Sequence, residues 1–512
     1  MSATSVVAGA RVSYEPERIT MNVERWGIFE HRAHGPAEGN PFTEVTFGAV
    51  FESAGHRIEI PGFYDGQGVY RVRFMPDREG AWSFTTRSNR PELHGRTGSF
   101  HCVPARPGNH GPVRPDHRCH FSHEDGSPCF IMGTTAYAWT YRPEEIRAQS
   151  LQSFSRYRFN KIRMLVFPKE YGDGKTVDAS YDPPFFPYEG APGAWDYTRF
   201  NPAFFQNYEA RVNDLLQHDI QADVILFHPY DRKWLLPQGM TEVDDLHYTR
   251  YLVARLAAYR NVWWSLANEF DLFRAPQFRE KNWDAIGECV AAADPYRHPI
   301  SIHNWPFIPP YPNRPWMSHV SYQHPNTYSM LLHLRQTYGK PAINDEYQYE
   351  GTVPHGWGNC TPELEFRRHW AATMAGGYAT HGEVLPVRGG IRDYFWAYGG
   401  TLQGQSAPRL AYMRQIVESL PFQSMAVNWL QTDGRDLYGL QQADNAFLFF
   451  IGPDYKDRHG VWIGSGRETP AQYNLIVHDI WNCVETERRT VGKGHTRLAL
   501  PPWAAVTALK IR

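Results

Sequence analysis

Nowhere in the 512 residues does a CxxC pair occur, although the chain carries Cys102, Cys119, Cys129, Cys289, Cys360 and Cys483. Their scatter fits neither a zinc site nor a disulfide framework, so reduced thiols are expected. No apolar run reaches the length of about 18 residues that a membrane-spanning helix needs, so no membrane partner is expected. Lys and Arg number 52 against 54 Asp and Glu, giving a net charge of −2, and no basic stripe forms. That excludes nucleic acid as a partner, because neutralising phosphates takes clustered cations. The start, MSATSVVAGARVSYEPERIT, lacks the basic lead and apolar core of a secretory signal, so a cytoplasmic location is expected. Neither HExxH nor a Gly-rich GxGxxG turn after the first strand of the α/β part is found, which argues against zinc proteases and dinucleotide folds.

What is abundant is aromatic. Rings make up 15% of the chain, with 17 Trp and 29 Tyr. Part of that excess builds cores, and part suits stacking against flat ligand faces such as sugars. The apolar fraction of 42% and charged fraction of 21% are those of an ordinary globular protein with ample core.

The pattern divides the chain in three. Residues 1–110 contain short segments rich in Val, Phe, Tyr and Thr (EVTFGAVFES, GVYRVRFMP, GAWSFTTRS) between Gly, Pro and Asp turns, as in a β-sandwich. The Pro/Gly-rich stretch Ala105–Asp116 reads as a linker, and DHRCHFSHEDG (Asp116–Gly126) as a short hairpin entering the next part. Residues 111–422 alternate apolar strand segments with amphipathic helices: CFIMGTTAYAW, NKIRMLVFP, IQADVILFHPY, NVWWSLANEF, PISIHN, HVSYQHP, PAINDEYQY and GYATHGE. Six helical stretches fall between most of them, but the Pro-rich connection from PISIHN to HVSYQHP has none. Repeated strand–helix order implies parallel strands with right-handed crossovers, and eight strands fit a closed (β/α)8 barrel. Residues 423–512 turn to β again (NAFLFFIG, GVWIGSG, YNLIVHDIWN) and predict a small C-terminal sandwich. The fold class is therefore α/β, a (β/α)8 TIM barrel flanked by two β-sandwich domains.

In such a barrel the reactive groups stand at the C-terminal ends of the strands. The fourth strand ends Ala267-Asn268-Glu269-Phe270 and the seventh Asn344-Asp345-Glu346-Tyr347, so each puts a carboxylate at the mouth. Two carboxylates about 5–5.5 Å apart are what a retaining glycosidase requires. Strand alternation places Asn344 and Glu346 on the luminal face and Asp345 toward the helices.

A strand-four Asn-Glu with a strand-seven Glu resembles glycoside hydrolase clan A, the large group of retaining (β/α)8 enzymes. The resemblance implies Glu269 as acid/base, Asn268 as ligand of the substrate 2-hydroxyl, and Glu346 as nucleophile. It further implies that Arg163, near the end of the second strand, belongs to the site, and that Tyr322 on the sixth hydrogen-bonds the nucleophile. The barrel resemblance covers residues 119–422, and the whole chain is similar to bacterial glycosidases with an N-terminal sandwich and a barrel related to apiosidases. One departure stands out. The aromatic usual at the end of the eighth strand is replaced by GYATHGE, which offers His381 and Glu383; Trp396 in the following loop is expected to supply the platform.

Of 23 histidines, His228, His303, His324 and His381 stand at strand ends and are expected to hydrogen-bond hydroxyls or tune the carboxylates. They also define the rival, a metal-dependent (β/α)8 hydrolase, which the lack of an HxH after the first strand disfavours. Trp305 joins Trp396 as a stacking candidate, whereas Trp264, inside the fourth strand, is expected in the core. The long loop Lys169–Arg199 is expected to wall or cover one end of the cleft. The function expected is exo-acting hydrolysis of a plant- or microbe-derived oligosaccharide or glycoside, without cofactor or metal. A non-catalytic carbohydrate-binding barrel is the alternative from another class. Homo-oligomerisation is compatible with the sequence.

Overall fold

The structure is a computed structural model describing residues 21–116, 119–171, 182–275, 278–353, 356–385, 394–433, 435–464 and 471–511. The chain's first twenty residues and the middle of the Lys169–Arg199 loop therefore lie outside the described residues.

Eight parallel strands run around a near-closed barrel: β1 Met132–Thr135, β2 Lys161–Leu165, β3 Gln221–Phe227, β4 Val262–Ala267, β5 Ile300–Ser301, β6 Val320–Gln323, β7 Ala342–Glu346 and β8 Tyr378–His381. Their hydrogen-bonding order is β5-β4-β3-β2-β1-β8-β7-β6, so the ring pairs everywhere except between β5 and β6. This seam falls at the Pro-rich connection, where no helix forms among the described residues and β5 shrinks to two residues.

The helices begin where the sequence marks them. Pro143 caps α1 (Glu144–Arg156), whose first turn carries Glu144 and Glu145. Asn201 caps α2 (Pro202–Gln217), with proline in the first turn, where a missing N–H costs nothing. Thr241 and Asp244 form a reciprocal capping box at α3 (Glu242–Leu256). Asn282, Asn326 and Thr361 cap α4 (Trp283–Ala293), α5 (Thr327–Tyr338) and α6 (Pro362–Met374). A seventh barrel helix, α7 (Ser406–Glu418), is absent from the six read in the sequence; it has no side-chain cap and carries Pro408 in its first turns.

The flanking parts are β, as expected. N-terminally, a five-stranded sheet (Asn22–Glu24, Phe47–Ser53, His56–Pro61, Gly80–Ser88, Thr97–Val103) faces a three-stranded one (Phe29–His34, Phe63–Tyr64, Val69–Phe74). Phe29, Phe51, Phe74, Trp82, Phe84 and Phe100 fill the space between, with Phe51 and Phe74 stacked at 4.2 Å. Of the hairpin expected within Asp116–Gly126 only one strand, Phe121–His123, lies there; it pairs antiparallel with Val113–Pro115, inside the stretch read as a linker. C-terminally, a six-stranded sheet packs on α6 through Trp370 and Phe450, 5.5 Å apart.

The N-terminal part is fastened to the barrel by buried charge. Arg255 on α3 is fully buried and pairs with Asp65 (2.7 Å) and with Glu209 on α2 (2.5 Å). Arg73 reaches the same Glu209 at 3.0 Å and donates to the Arg255 carbonyl at 2.8 Å. Removing Arg255 leaves Asp65 and Glu209 buried with one cation fewer, Arg71 and Arg73 remaining, and breaking such a buried cluster typically costs about 3–5 kcal/mol. Arg255→Met should therefore lower the unfolding free energy read from urea titration toward that order, and a change below about 1 kcal/mol, the worth of a surface pair, would contradict this role.

Candidate active site

Beneath the barrel mouth the interior is ionic rather than apolar. Lys161 and Arg163 enter from β2, Asp223 from β3, Ser321 from β6, Asp345 from β7 and Thr380 from β8. The Lys161 ammonium lies 2.5 Å from Asp223 and 2.9 Å from Asp345. Ser321 and Thr380 donate to Asp345 at 2.5 and 2.6 Å. Burial works to raise the Asp345 pKa, but Lys161 and Arg163 outweigh it and hold the carboxyl well below the usual range.

Asp345 thus points into the lumen, not toward the helices as alternation predicted. The reason is a register irregularity: Tyr322 pairs with Asn344 and the next residue, Gln323, with Glu346, so Asp345 is the extra residue. A bulge resets the two-residue period, and both Asp345 and Glu346 face the axis.

Arg163 forms the pocket floor. Its guanidinium donates to Glu346 Oε1 at 3.1 Å and to Asn268 Oδ1 at 2.6 Å. The Tyr137 hydroxyl, just beyond β1, donates to Glu346 Oε1 and lies 3.2 Å from Asn268 Oδ1. The buried Tyr349 hydroxyl lies near Glu346 without a hydrogen-bond partner of its own among the described residues. Asn268 then donates to the Tyr230 hydroxyl at 2.7 Å, and Tyr230 donates to Glu269 Oε2. Gln323, with its amide nitrogen turned toward Glu269, donates to Oε1 at 3.1 Å and to the Asn304 carbonyl at 3.1 Å.

The two glutamates are buried alike but supported differently. Glu346 has a cation and the Tyr137 phenol. Glu269 has uncharged donors, so burial first, and then the Glu346 carboxylate, push its pKa well above the usual carboxylate range. Glu269 also holds a left-handed backbone at φ 52°, an uncommon state for a non-glycine residue of the sort functional sites retain. Both carboxylates open on one cavity of about 340 Å³, which Lys169, Trp305, Tyr349, Trp357 and Trp396 also line. The Lys169 ammonium lies 3.8 Å from the Tyr230 ring centroid and 4.4 Å from that of Tyr171, and burial pushes it down to about 8.

Of the residues expected in the site, Glu269, Glu346, Asn268, Arg163, Trp305 and Trp396 converge here. Tyr322 does not: alternation along β6 sends Ser321 and Gln323 inward and Tyr322 outward, where its hydroxyl donates to the Thr327 carbonyl at 3.3 Å. Tyr137 takes the place expected of it. The histidines stand off the cavity. His228 bonds the Phe167 carbonyl at 3.0 Å and accepts from the Tyr230 N–H at 3.3 Å, so it positions a site residue from behind. His303 is buried near Arg163, Asp345 and Lys161, and burial first, then the two cations, hold it neutral. The His324 ring accepts from the Asn326 N–H at 2.9 Å at the start of α5. His381 faces the helix layer, stacked on Phe159 at 5.1 Å. Trp264 is in the core, as expected, with its indole on Asp294 at 2.9 Å. Sequence reasoning passed over Tyr137, Lys169, Tyr230, Gln323 and Tyr349. All five stand at strand ends or in the loops just after them, the one signal that marks them.

Fold and site together define a glycoside hydrolase of the clan A fold. Residues 115–424 match the family described as apiosidase-like, catalytic domain, and residues 22–89 match a domain of unknown function, DUF5060. The chain belongs to the apiosidase-like family. A candidate glycoside hydrolase from Bacteroides vulgatus ATCC 8482 superposes with a TM-score of 0.85 at 32% identity, over 96% of this chain and 100% of that one. A family 5 glycoside hydrolase from the same organism shares the fold, with a TM-score of 0.60 at 15% identity over 79% of this chain and 95% of its own. No curated protein matches the chain.

The hydroxyl of Tyr230 favours the ionised form of Glu269. Tyr230→Phe should therefore raise the Glu269 pKa further, as followed by 13C NMR of labelled glutamate carboxyls; a fall would contradict the hydrogen-bond direction.

Proposed function

We propose that the protein is a retaining, exo-acting glycosidase working by double displacement. The observation that carries this is the unequal support of two carboxylates on one cavity: Glu346 rests on Arg163 at 3.1 Å and on the Tyr137 phenol, while Glu269 is buried beside it without a cation in contact. In the first step the Glu346 carboxylate attacks the anomeric carbon while protonated Glu269 gives its proton to the departing oxygen. In the second, Glu269 takes a proton from water as that water displaces Glu346, and the sugar leaves with its configuration retained. Arg163 orients two residues for the first step, donating to Glu346 and turning Asn268 so that its amide faces the cavity.

A cavity of about 340 Å³ suits one or two sugar rings, in keeping with exo action on a small glycoside. Trp396 and Trp305 supply flat apolar faces for those rings. The family description makes a terminal apiosyl residue the first substrate to test, within a panel of aryl glycosides. A metal-dependent hydrolysis finds less support, because no imidazole lines this cavity among the described residues.

Glu346→Ala should lower kcat by about 10⁴-fold or more, the scale set by loss of a nucleophile. Added azide should restore turnover of an activated aryl glycoside and yield the glycosyl azide of inverted configuration. If Glu269→Ala were rescued with inverted product instead, the two roles would be exchanged.

The pH dependence follows from the direction of the Glu269 shift. Its protonated form is the active acid and its pKa is raised, so kcat/KM should fall as pH climbs through a value above the ordinary carboxylate range. In Glu269→Gln, assayed with a good leaving group, that basic limb should vanish. An unchanged limb would assign it to Lys169, the other group of the cavity that titrates there.

A further inference from the structure

Behind the cavity wall lies a second cluster that the hydrolytic reading leaves unused. Glu365 stands in the first turn of α6 and His381 ends β8, while Glu350 belongs to the short strand Glu350–Gly351, which pairs in parallel with Glu383–Val384. All three are buried, and one ligand atom from each lies within 4.8 Å of the other two. We propose that Glu350, Glu365 and His381 form a binding site for a first-row divalent cation such as zinc or manganese.

The imidazole supplies the first argument. Thr134 Oγ1 lies 2.9 Å from His381 Nδ1 and 3.3 Å from the His381 carbonyl, so the ring is held through Nδ1. When Nδ1–H donates to that hydroxyl and the hydroxyl hydrogen goes to the carbonyl, Nε2 presents the lone pair a metal needs. Nε2 is fully buried, has no hydrogen-bond partner among the described residues, and faces Glu365 Oε1 at 3.8 Å, beyond hydrogen-bond reach. A zinc ion bonded at about 2.0–2.2 Å to each spans that gap at an angle moderately wider than tetrahedral.

Charge supplies the second. Among the described residues no Lys or Arg pairs with Glu350, Glu365 or the adjacent Glu383. Backbone N–H groups hold the carboxylates in place without exhausting them. Glu365 Oε1 accepts one bond, from Gly382 at 3.2 Å, and Glu350 Oε1 one, from Gln405 at 2.7 Å, so each keeps a lone pair. Thr134 behind the imidazole, and these amides behind the carboxylates, are the outer partners that orient metal ligands. One nitrogen with two carboxylates favours zinc, manganese or iron over calcium.

Bound there, the ion would tie the end of β8 and the start of α6 to the loop after β7. That loop carries Tyr349, which lines the cavity beside Glu346. The role is structural, since none of the three ligands lines the cavity.

Full-length protein is stripped with a chelator, dialysed, and titrated separately with zinc and manganese chloride, with metal content and melting temperature as readouts. One of the two ions should be retained at about one equivalent, and at roughly a hundredfold excess over its Kd should raise Tm by roughly 3–5 °C. Glu365→Gln and His381→Gln should each lose both the bound equivalent and the Tm response. Should either variant fail to fold, the visible spectrum of the cobalt-loaded wild type decides: nitrogen and oxygen coordination supports the site, and thiolate charge transfer overturns it. Failure of the wild type to retain either ion, or undiminished retention by both variants, would also overturn it.

Discussion

A guanidinium with no exposed surface must be met by acceptors on every side, and in this protein Arg163 imposes that demand on the middle of the barrel. Its fork fits Glu346 and Asn268 together, and its Nε lies 3.8 Å from Asp223 and 4.0 Å from Asp345. Those two aspartates would be too much negative charge for one arginine. Lys161, one turn of the pleat below, supplies the second cation. The layers of branched apolar side chains that usually fill such a barrel give way here to a charge-paired interior, and the bulge at the end of β7 follows from the need to bring Asp345 and Glu346 to the same axis.

This interior makes the two mouth glutamates unlike each other. Glu346 sits on the side where the cations lie; Glu269 is reached only through neutral links, Asn268 to Tyr230 to Glu269. Water excluded by the surrounding rings would otherwise level that difference by solvating both groups. The same low polarity keeps His228 neutral, burial pushing it down to about 3, so it acts as a fixed hydrogen-bonding piece of scaffold.

The sequence carried the architecture well, because parallel strands buried on both faces read as apolar runs and helix starts carry caps that name themselves. It also carried Glu269 and Glu346, since a carboxylate at the end of an apolar strand is conspicuous, while Asn268 and Arg163 came only through the resemblance to clan A. It failed where the signal depends on partners distant in the chain. Nothing local marks the bulge that turns Asp345 inward, and simple alternation therefore misplaces it. Tyr322 and His381 also stand at strand ends, but an offset of one residue sends them to the helix layer. Tyr137 and Tyr230 resemble any of the chain's other tyrosines until the fold brings them to the carboxylates.

The account stands on Glu346 being the group that becomes covalently bound to sugar. An activated 2-deoxy-2-fluoro glycoside of the preferred sugar slows the second displacement more than it slows the first, so the glycosyl-enzyme accumulates. Intact-mass and peptide mass spectrometry should then find one sugar, attached within the segment Asn344-Asp345-Glu346-Tyr347 and on Glu346 itself. A sugar on any other residue, or turnover to inverted product with no adduct formed, would contradict it.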